Sequence, residues 1–413
     1  MATIAAFQAI RYDHTRTGGD LSNLIAPPYD VLDQADKDAL LAKSDHNIVA
    51  VDLPHIPPKS AGPTRAYENS AQILKSWLAD GTLVREAKPA LYVYHQTFEH
   101  ETKTYTRRKF LARVRLQPFS DGVILPHEQT FGGAKEDRLA LMKTTECNIS
   151  PVFGLYTDAD NRIGSAFAPI TRQQPDVSAT LDDVLNEVWI VTDPAIIDTV
   201  VSGMVDKKIY IADGHHRYGT ALNYREWLTE QSGGKLPDDH PSNFAMFVLG
   251  SMDDPGSLII AYNRALAGVD LTTVLDAWAP GTEPAGDADA DICLVDGRTG
   301  KEARLRFSDR AKLHELEPDQ CAPWHNLDAA YLHRYLIDEL LHHKLGKQPR
   351  VRYVKSVKNA RQCAQQESGV ALLLNATPMA HLRAVSEAGG LMPQKSTYFY
   401  PKLATGLTIN PLS

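Results

Sequence analysis

The sequence predicts an α/β protein, with α+β character, built on a mixed-sheet core, and three observations carry that expectation. Short β-rich runs such as Ile209-Tyr210-Ile211-Ala212 and Phe244 to Leu249 alternate with segments whose apolar residues recur at helical spacing, such as Tyr67, Ala71, Leu74 and Leu78. The two periods meet at Lys208 to Tyr218, where a buried strand breaks at Asp213-Gly214 and a helix begins. A length of 413 residues exceeds what one core comfortably holds. Two domains are expected, a catalytic one over 1–265 and a C-terminal α/β domain over 266–413 whose tail packs back on the first.

Taken in order, the chain opens with a strand expected near Ile4 to Ile10 and a stiff loop, Ile25-Ala-Pro-Pro-Tyr29-Asp30, whose two prolines fix an extended backbone. Tyr29 and Asp30 either line a pocket or close a surface turn. Asp33 is placed to cap a helix running towards Leu41, and Ile48 to Leu53 reads as a strand. Tyr67 to Leu78 is an amphipathic helix ended by Asp80-Gly81, and Ala90 to Phe98 with Tyr105 to Leu116 forms a β-hairpin. A strand from Val123 then enters Pro126-His127-Glu128. A loop through Gly132-Gly133 leads to Lys135 and Arg138, ahead of a helix from Leu139 to Thr145.

Glu128 is a carboxylate beside His127 and behind a proline, which suits a base taking a proton from a hydroxyl. Lys135 and Arg138 are positioned to reach phosphate oxygens, whereas Glu136 and Asp137 read as a solvated turn or as metal ligands. Asn148 and Ser150 stand as polar groups at the mouth of the next strand, within hydrogen-bond reach of a substrate. Further strands are expected at Val188 to Val191 and Ile259 to Leu266, where Arg264 is a third basic group or half of a surface ion pair. His333, His342 and His343 read as solvated. The stretch Met392 to Lys402 is dense in aromatic groups and is expected to pack rather than to trail in solvent.

The strand-to-helix turn gathers the most chemistry. Unsatisfied N–H groups and the helix dipole favour an anion there, and Gly214 permits its close approach. Arg217 can hold a phosphate through two nitrogens, His215 contributes to the same grip, and His216 can move a proton near neutral pH, with Asp213 beside it.

Composition limits the function classes. With 43 Lys and Arg against 51 Asp and Glu, the net charge of −8 argues against DNA or an anionic membrane as partner, while a local basic pocket remains compatible. Four cysteines, Cys147, Cys293, Cys321 and Cys363, form no C-x-x-C pair, so neither a disulfide framework nor a zinc ribbon is indicated. No run approaches a membrane span and no signal peptide opens the chain, so a cytoplasmic protein is expected, a homo-oligomer remaining open.

Five motifs in order, Ile25-Ala-Pro-Pro-Tyr-Asp-Val, Pro126-His-Glu, Lys135-Glu-Asp-Arg138, Ile211-Ala-Asp-Gly-His-His-Arg-Tyr218 and Met392-Pro-Gln-Lys-Ser-Thr-Tyr-Phe, resemble the bacterial and archaeal domain-of-unknown-function family 1015. The Asp-Gly-His-His-Arg turn is also similar to the nucleotide-binding turn of the ParB and sulfiredoxin superfamily, some of whose members phosphorylate free L-serine. That second resemblance implies a ParB/sulfiredoxin-like core and a phosphoryl transfer from ATP or ADP to a small-molecule hydroxyl, with Mg²⁺ shielding the phosphates. A Walker loop and the protein-kinase signatures are absent from the sequence. A nucleotide-binding regulator without turnover and a metal-dependent phosphodiesterase are the alternatives.

Overall fold

The computed structural model describes residues 1–129 and 132–413, which divide into two compact units. Unit 1 comprises Met1–Pro126, the described residues from Gly132 to Ser257, and Pro401–Ser413; unit 2 comprises His127–Gln129 and Leu258–Tyr400.

Unit 1 is built on a nine-stranded mixed sheet. Its order runs Ile124–Leu125, Ile209–Asp213, Val152–Tyr156, Phe244–Ser251, Lys103–Arg115, Leu91–His100, Val184–Val191 and Val177–Leu181, with Ile4–Ala5 added along Lys103–Arg115. Two neighbouring pairs are parallel, Ile209–Asp213 with Ile124–Leu125 and Phe244–Ser251 with Val152–Tyr156; the others are antiparallel. The expected hairpin is present, closed by Glu101 at φ 57°. One face of the sheet buries Val93, Phe110, Ile209, Ile211, Phe247 and Leu249 against helical residues such as Val200, Met204 and Tyr218. Gly154 sits in the middle of this sheet because a Cβ there would come within 2.7 Å of Ile209 and 2.9 Å of Phe247. The other face carries a buried polar row: Gln96 accepts from Lys109 Nζ and from Arg107 Nη2, and Tyr94 donates to Asn186 at 2.6 Å.

Unit 2 holds a six-stranded antiparallel sheet, Thr282–Pro284, Glu302–Phe307, Ile292–Asp296, Val370–Leu374, Asn263–Leu266 and Val351–Val354. The consecutive strands Ile292–Asp296 and Glu302–Phe307 pair within it as a hairpin. A separate two-stranded ladder joins Leu258–Ile260 to Tyr398–Tyr400.

Several expectations are corrected. Ile48 to Leu53 is a helical turn, Val49–Asp52, because Asn47 Oδ1 accepts from Val49 N at 3.0 Å and turns a β-branched stretch into a helix start. The strand expected over Ile4 to Ile10 is two short ones, Ile4–Ala5 and Ile10–Tyr12, and that over Ile259 to Leu266 divides into Leu258–Ile260 and Asn263–Leu266. The helix expected from Leu139 begins at Gly132. Arg264 is neither a pocket cation nor a surface ion pair: it is fully buried and donates to His333 Nε2 at 3.2 Å and to the carbonyls of Lys395 and Tyr262. His333 is correspondingly not solvated; burial and the Arg264 charge push its pKa down to about 3.

Candidate functional site

The turn at Asp213-Gly214 lies in unit 1. Its strand is held on both sides by pairing, and the register with Val152–Tyr156 shifts between Ile211 and Asp213, releasing the chain from the sheet where the polar residues begin. Gly214 then adopts φ 90°, and the helix His215–Gln231 starts with no side-chain cap. Gly214, as the N-cap residue, offers no side-chain cap, and the start of this 17-residue helix lies at the positive end of its dipole. Gly214 is needed for a second reason: a Cβ there would stand 2.9 Å from Arg217 Nε.

Arg217 folds back over the turn. It is 8% exposed, donates Nη1 to the Pro151 carbonyl and Nη2 to Asp213 Oδ1 at 3.3 Å. The sequence assigned this guanidinium a bidentate grip on phosphate, but those two nitrogens hold the turn together. Asp213 in turn receives Lys402 Nζ at 2.6 Å. Burial raises its pKa, but Lys402 and Arg217 outweigh burial and hold the carboxyl well below the usual carboxylate range. An ion-paired carboxylate of that kind is a poor general base, which corrects the catalytic role expected of Asp213.

Beside the helix start lies a group of cations. Burial lowers the pKa of His216, and Lys59, Lys135 and Arg217 lower it further against the opposing pull of Asp30. These effects favour the neutral imidazole. Lys135 lies along the first turns of the helix, where a Cβ at Gly219 would meet its Cε at 2.9 Å and its Nζ at 3.3 Å. Lys59 pairs with Asp30 at 3.4 Å, with both side chains partly exposed. Lys135, His216 and Asp30 were legible as candidates; Lys59 was not, because Ile56-Pro-Pro-Lys59 reads as an ordinary polar loop.

Arg138 points inward instead of towards this group. It is 6% exposed, donates Nε to Asp137 at 2.8 Å and Nη1 to the Asp52 carbonyl at 2.6 Å and Oδ1 at 3.3 Å, and its guanidinium lies 3.9 Å from the Tyr29 ring centroid. Asp137 is fully buried, not solvated, and also accepts from Tyr67 at 2.9 Å, with His55 Nε2 at the same distance. Ser150 donates to Asp52 Oδ2 at 2.6 Å. Asn148 Oδ1 accepts from Met246 N at 3.1 Å and Asn410 Nδ2 at 3.0 Å. Arg138, Tyr29, Ser150 and Asn148 are therefore held by buried contacts within the chain. Asp52, Arg138, Ser150, Arg217 and Thr220 line a cavity of about 30 Å³, large enough for a water or two.

In unit 2, His127 is buried, its Nε2 lies 3.1 Å from Thr397 Oγ1 and its carbonyl accepts from Met392 N at 2.8 Å. These bonds fix the backbone next to Glu128, which is half-buried. His215 is buried in unit 1. Among the described residues no three His, Cys, Asp or Glu side chains converge as a metal site. Among those residues no helix is long and apolar enough to cross a membrane.

A mixed-sheet α/β protein with cations beside the helix N-terminus that follows Gly214 is the class these features define. The chain belongs to the family described as protein of unknown function DUF1015, whose model matches residues 4–329. No curated protein is significantly similar in sequence. Among solved structures, a free serine kinase in complex with AMP is 13% identical, covering 73% of this chain and 91% of that one with a TM-score of 0.33. SbnI with a C-terminal truncation from Staphylococcus aureus is 12% identical, covering 73% and 87%, with a TM-score of 0.37. A conserved hypothetical protein from Pyrococcus furiosus is 13% identical, covering 72% and 95%, with a TM-score of 0.33. Likeness at this level carries no argument about activity.

Proposed function

We propose that the chain holds the phosphates of ATP or ADP at the N-terminus of the helix His215–Gln231 and transfers a phosphoryl group to the hydroxyl of a small amino acid, with free L-serine the first candidate. One observation carries the reading: Lys59, Lys135 and His216 gather at the start of a helix entered through Gly214. Backbone amides and the dipole there favour negative charge, and the two lysines neutralise more of it. Phosphoryl transfer asks for little beyond this, since it depends on positioning and charge stabilisation. The similarity of Asp213-Gly-His-His-Arg217 to a nucleotide-binding turn supports a nucleotide over a free anion.

In this reading the amides after Gly214 and the ammonium groups of Lys59 and Lys135 hold phosphate oxygens. His216, whose pKa is lowered, accepts a proton at an imidazole nitrogen or returns it. Asp30 offers a carboxylate to the acceptor's ammonium group. Mg²⁺ comes with the nucleotide, neutralising its phosphates, because the ion is commonly held by substrate phosphates with few protein ligands.

The test is incubation of the purified protein with ATP or ADP, Mg²⁺ and a mixture of amino acids, followed by mass spectrometry. A new O-phosphorylated amino acid is the expected product. Nucleotide binding with every amino acid unmodified would identify a regulator instead, and no nucleotide binding would remove the reading altogether.

A further inference from the structure

The segment Pro401 to Thr405 is tied to unit 1 at several points, one of them the turn of the candidate site. Gln96 donates to the Lys402 carbonyl at 3.0 Å, Arg107 donates to the Pro401 carbonyl, and Ala404 N donates to Tyr94 at 3.3 Å. Thr405 exchanges backbone hydrogen bonds with Ala26 at 2.8 and 3.1 Å, at the head of the loop that carries Tyr29 and Asp30. Its hydroxyl lies 3.4 Å from that of Ser150. From the middle of this strap Lys402 reaches Asp213 at 2.6 Å.

The charge at that contact matters because of where Asp213 sits. It immediately precedes Gly214, so its carboxylate lies at the helix end to which an anion would be drawn. A lone carboxylate there would repel phosphate and compete with it for the dipole and for Arg217. Arg217 Nη2 stands 3.3 Å from Asp213 Oδ1, so without Lys402 the carboxylate and an incoming phosphate would compete for that cation.

We propose that Lys402 is a positioning residue for the anion site: it neutralises Asp213 and fixes the Gly214 turn so that phosphate can approach. The proposal rests on the phosphate reading above and extends it to a residue at the far end of the chain. It accounts for the lysine that closes the Met392 to Lys402 stretch, which no other part of that reading uses.

The test is a double-mutant cycle read by titration calorimetry with ADP and, separately, with inorganic pyrophosphate. Lys402→Met should weaken both by about tenfold or more, since the Asp213 carboxylate next to the bound anion loses the nearer of its two cations. Asp213→Asn, which keeps an oxygen for Arg217 but carries no charge, should restore most of that loss when combined with Lys402→Met. A purely structural clamp predicts the opposite, because the double variant would have lost both halves of the ion pair. Unchanged binding in Lys402→Met, or a double variant no better than the single one, overturns the proposal. If the unaltered protein binds pyrophosphate but not ADP, the nucleotide reading fails while the cycle in pyrophosphate still decides the role of Lys402. If it binds neither, both fall.

Discussion

Gly214 shows how one residue type serves both backbone and site. At φ 90° an alanine would carry the left-handed cost of about 1–2 kcal/mol and would also press on Arg217 Nε. Gly214→Ala should therefore lower stability by roughly that amount or more, and should weaken phosphate binding further than stability alone explains. Chemical denaturation and calorimetry on the same variant separate the two effects, and full phosphate affinity in a destabilised variant would detach the turn from binding. His216 gives a prediction in pH. Its pKa is lowered in the free protein by burial and by Lys59, Lys135 and Arg217. A bound phosphate raises it again, so binding takes up a proton, and affinity should rise as pH falls between the free and bound values. One proton limits the slope to about tenfold per pH unit. The nucleotide's own titration is common to all variants, so the readout is the difference between the unaltered protein and His216→Gln. Identical pH profiles for the two would place His216 outside the site.

Among the elements, the helix Gly132–Thr145 is the one whose side chains were most misread. Lys135 and Arg138 are three positions apart, close neighbours on a helix, yet Lys135 lies along the next helix while Arg138 turns in to Asp137, Asp52 and the Tyr29 ring. The buried pairing makes a sharp prediction. Asp137→Ala leaves the Arg138 charge buried with one carboxylate fewer and should cost about 3–5 kcal/mol. Equilibrium unfolding in urea measures it, and a change under 1 kcal/mol would mean that solvent reaches Arg138 more freely than its burial implies. The same comparison shows what the sequence could and could not say. The hairpin of Leu91–His100 with Lys103–Arg115, the helix Thr64–Ala79 and the Asp33 N-cap were legible because each depends on local periodicity or on residues a few positions apart. The Arg138 network was not, because Asp52 and Tyr67 lie far from it in sequence and nothing local marks them as partners. Val49–Asp52 was misread for a related reason: β-branched residues signal a strand, and the preceding Asn47 overrides them with a single hydrogen bond. Of the site itself, the turn and Lys135 could be named in advance. Lys59 and Lys402 could not, since each joins the group only through folding.

On the scale of the whole molecule, unit 1 is not complete until the chain's last residues are in place. Ile409 exchanges backbone hydrogen bonds with Ile10 at 2.8 and 2.9 Å, Asn410–Pro411 pairs with Cys147–Asn148, and Leu412 N donates to Glu146 at 2.8 Å. Leu403, Leu407, Ile409 and Leu412 are all buried, the last within the main core of the sheet. Burial of each such side chain contributes about 1.5–3 kcal/mol, or roughly 6–12 kcal/mol for the four. That is comparable to the whole net stability of an ordinary domain, about 5–15 kcal/mol, even if a compact unfolded state trims the figure. A chain ending at Tyr400 should therefore lose the cooperative melting of unit 1, and protease should cut within residues 1–126 under conditions that leave the full chain intact. Removing only the exposed Ser413 should change neither measurement, because its side chain reaches solvent. A truncated chain that still melts cooperatively with the same midpoint would show that the strap is an appendage, and the contribution of Lys402 to the site would then have to be tested without assuming that the strap is part of the core.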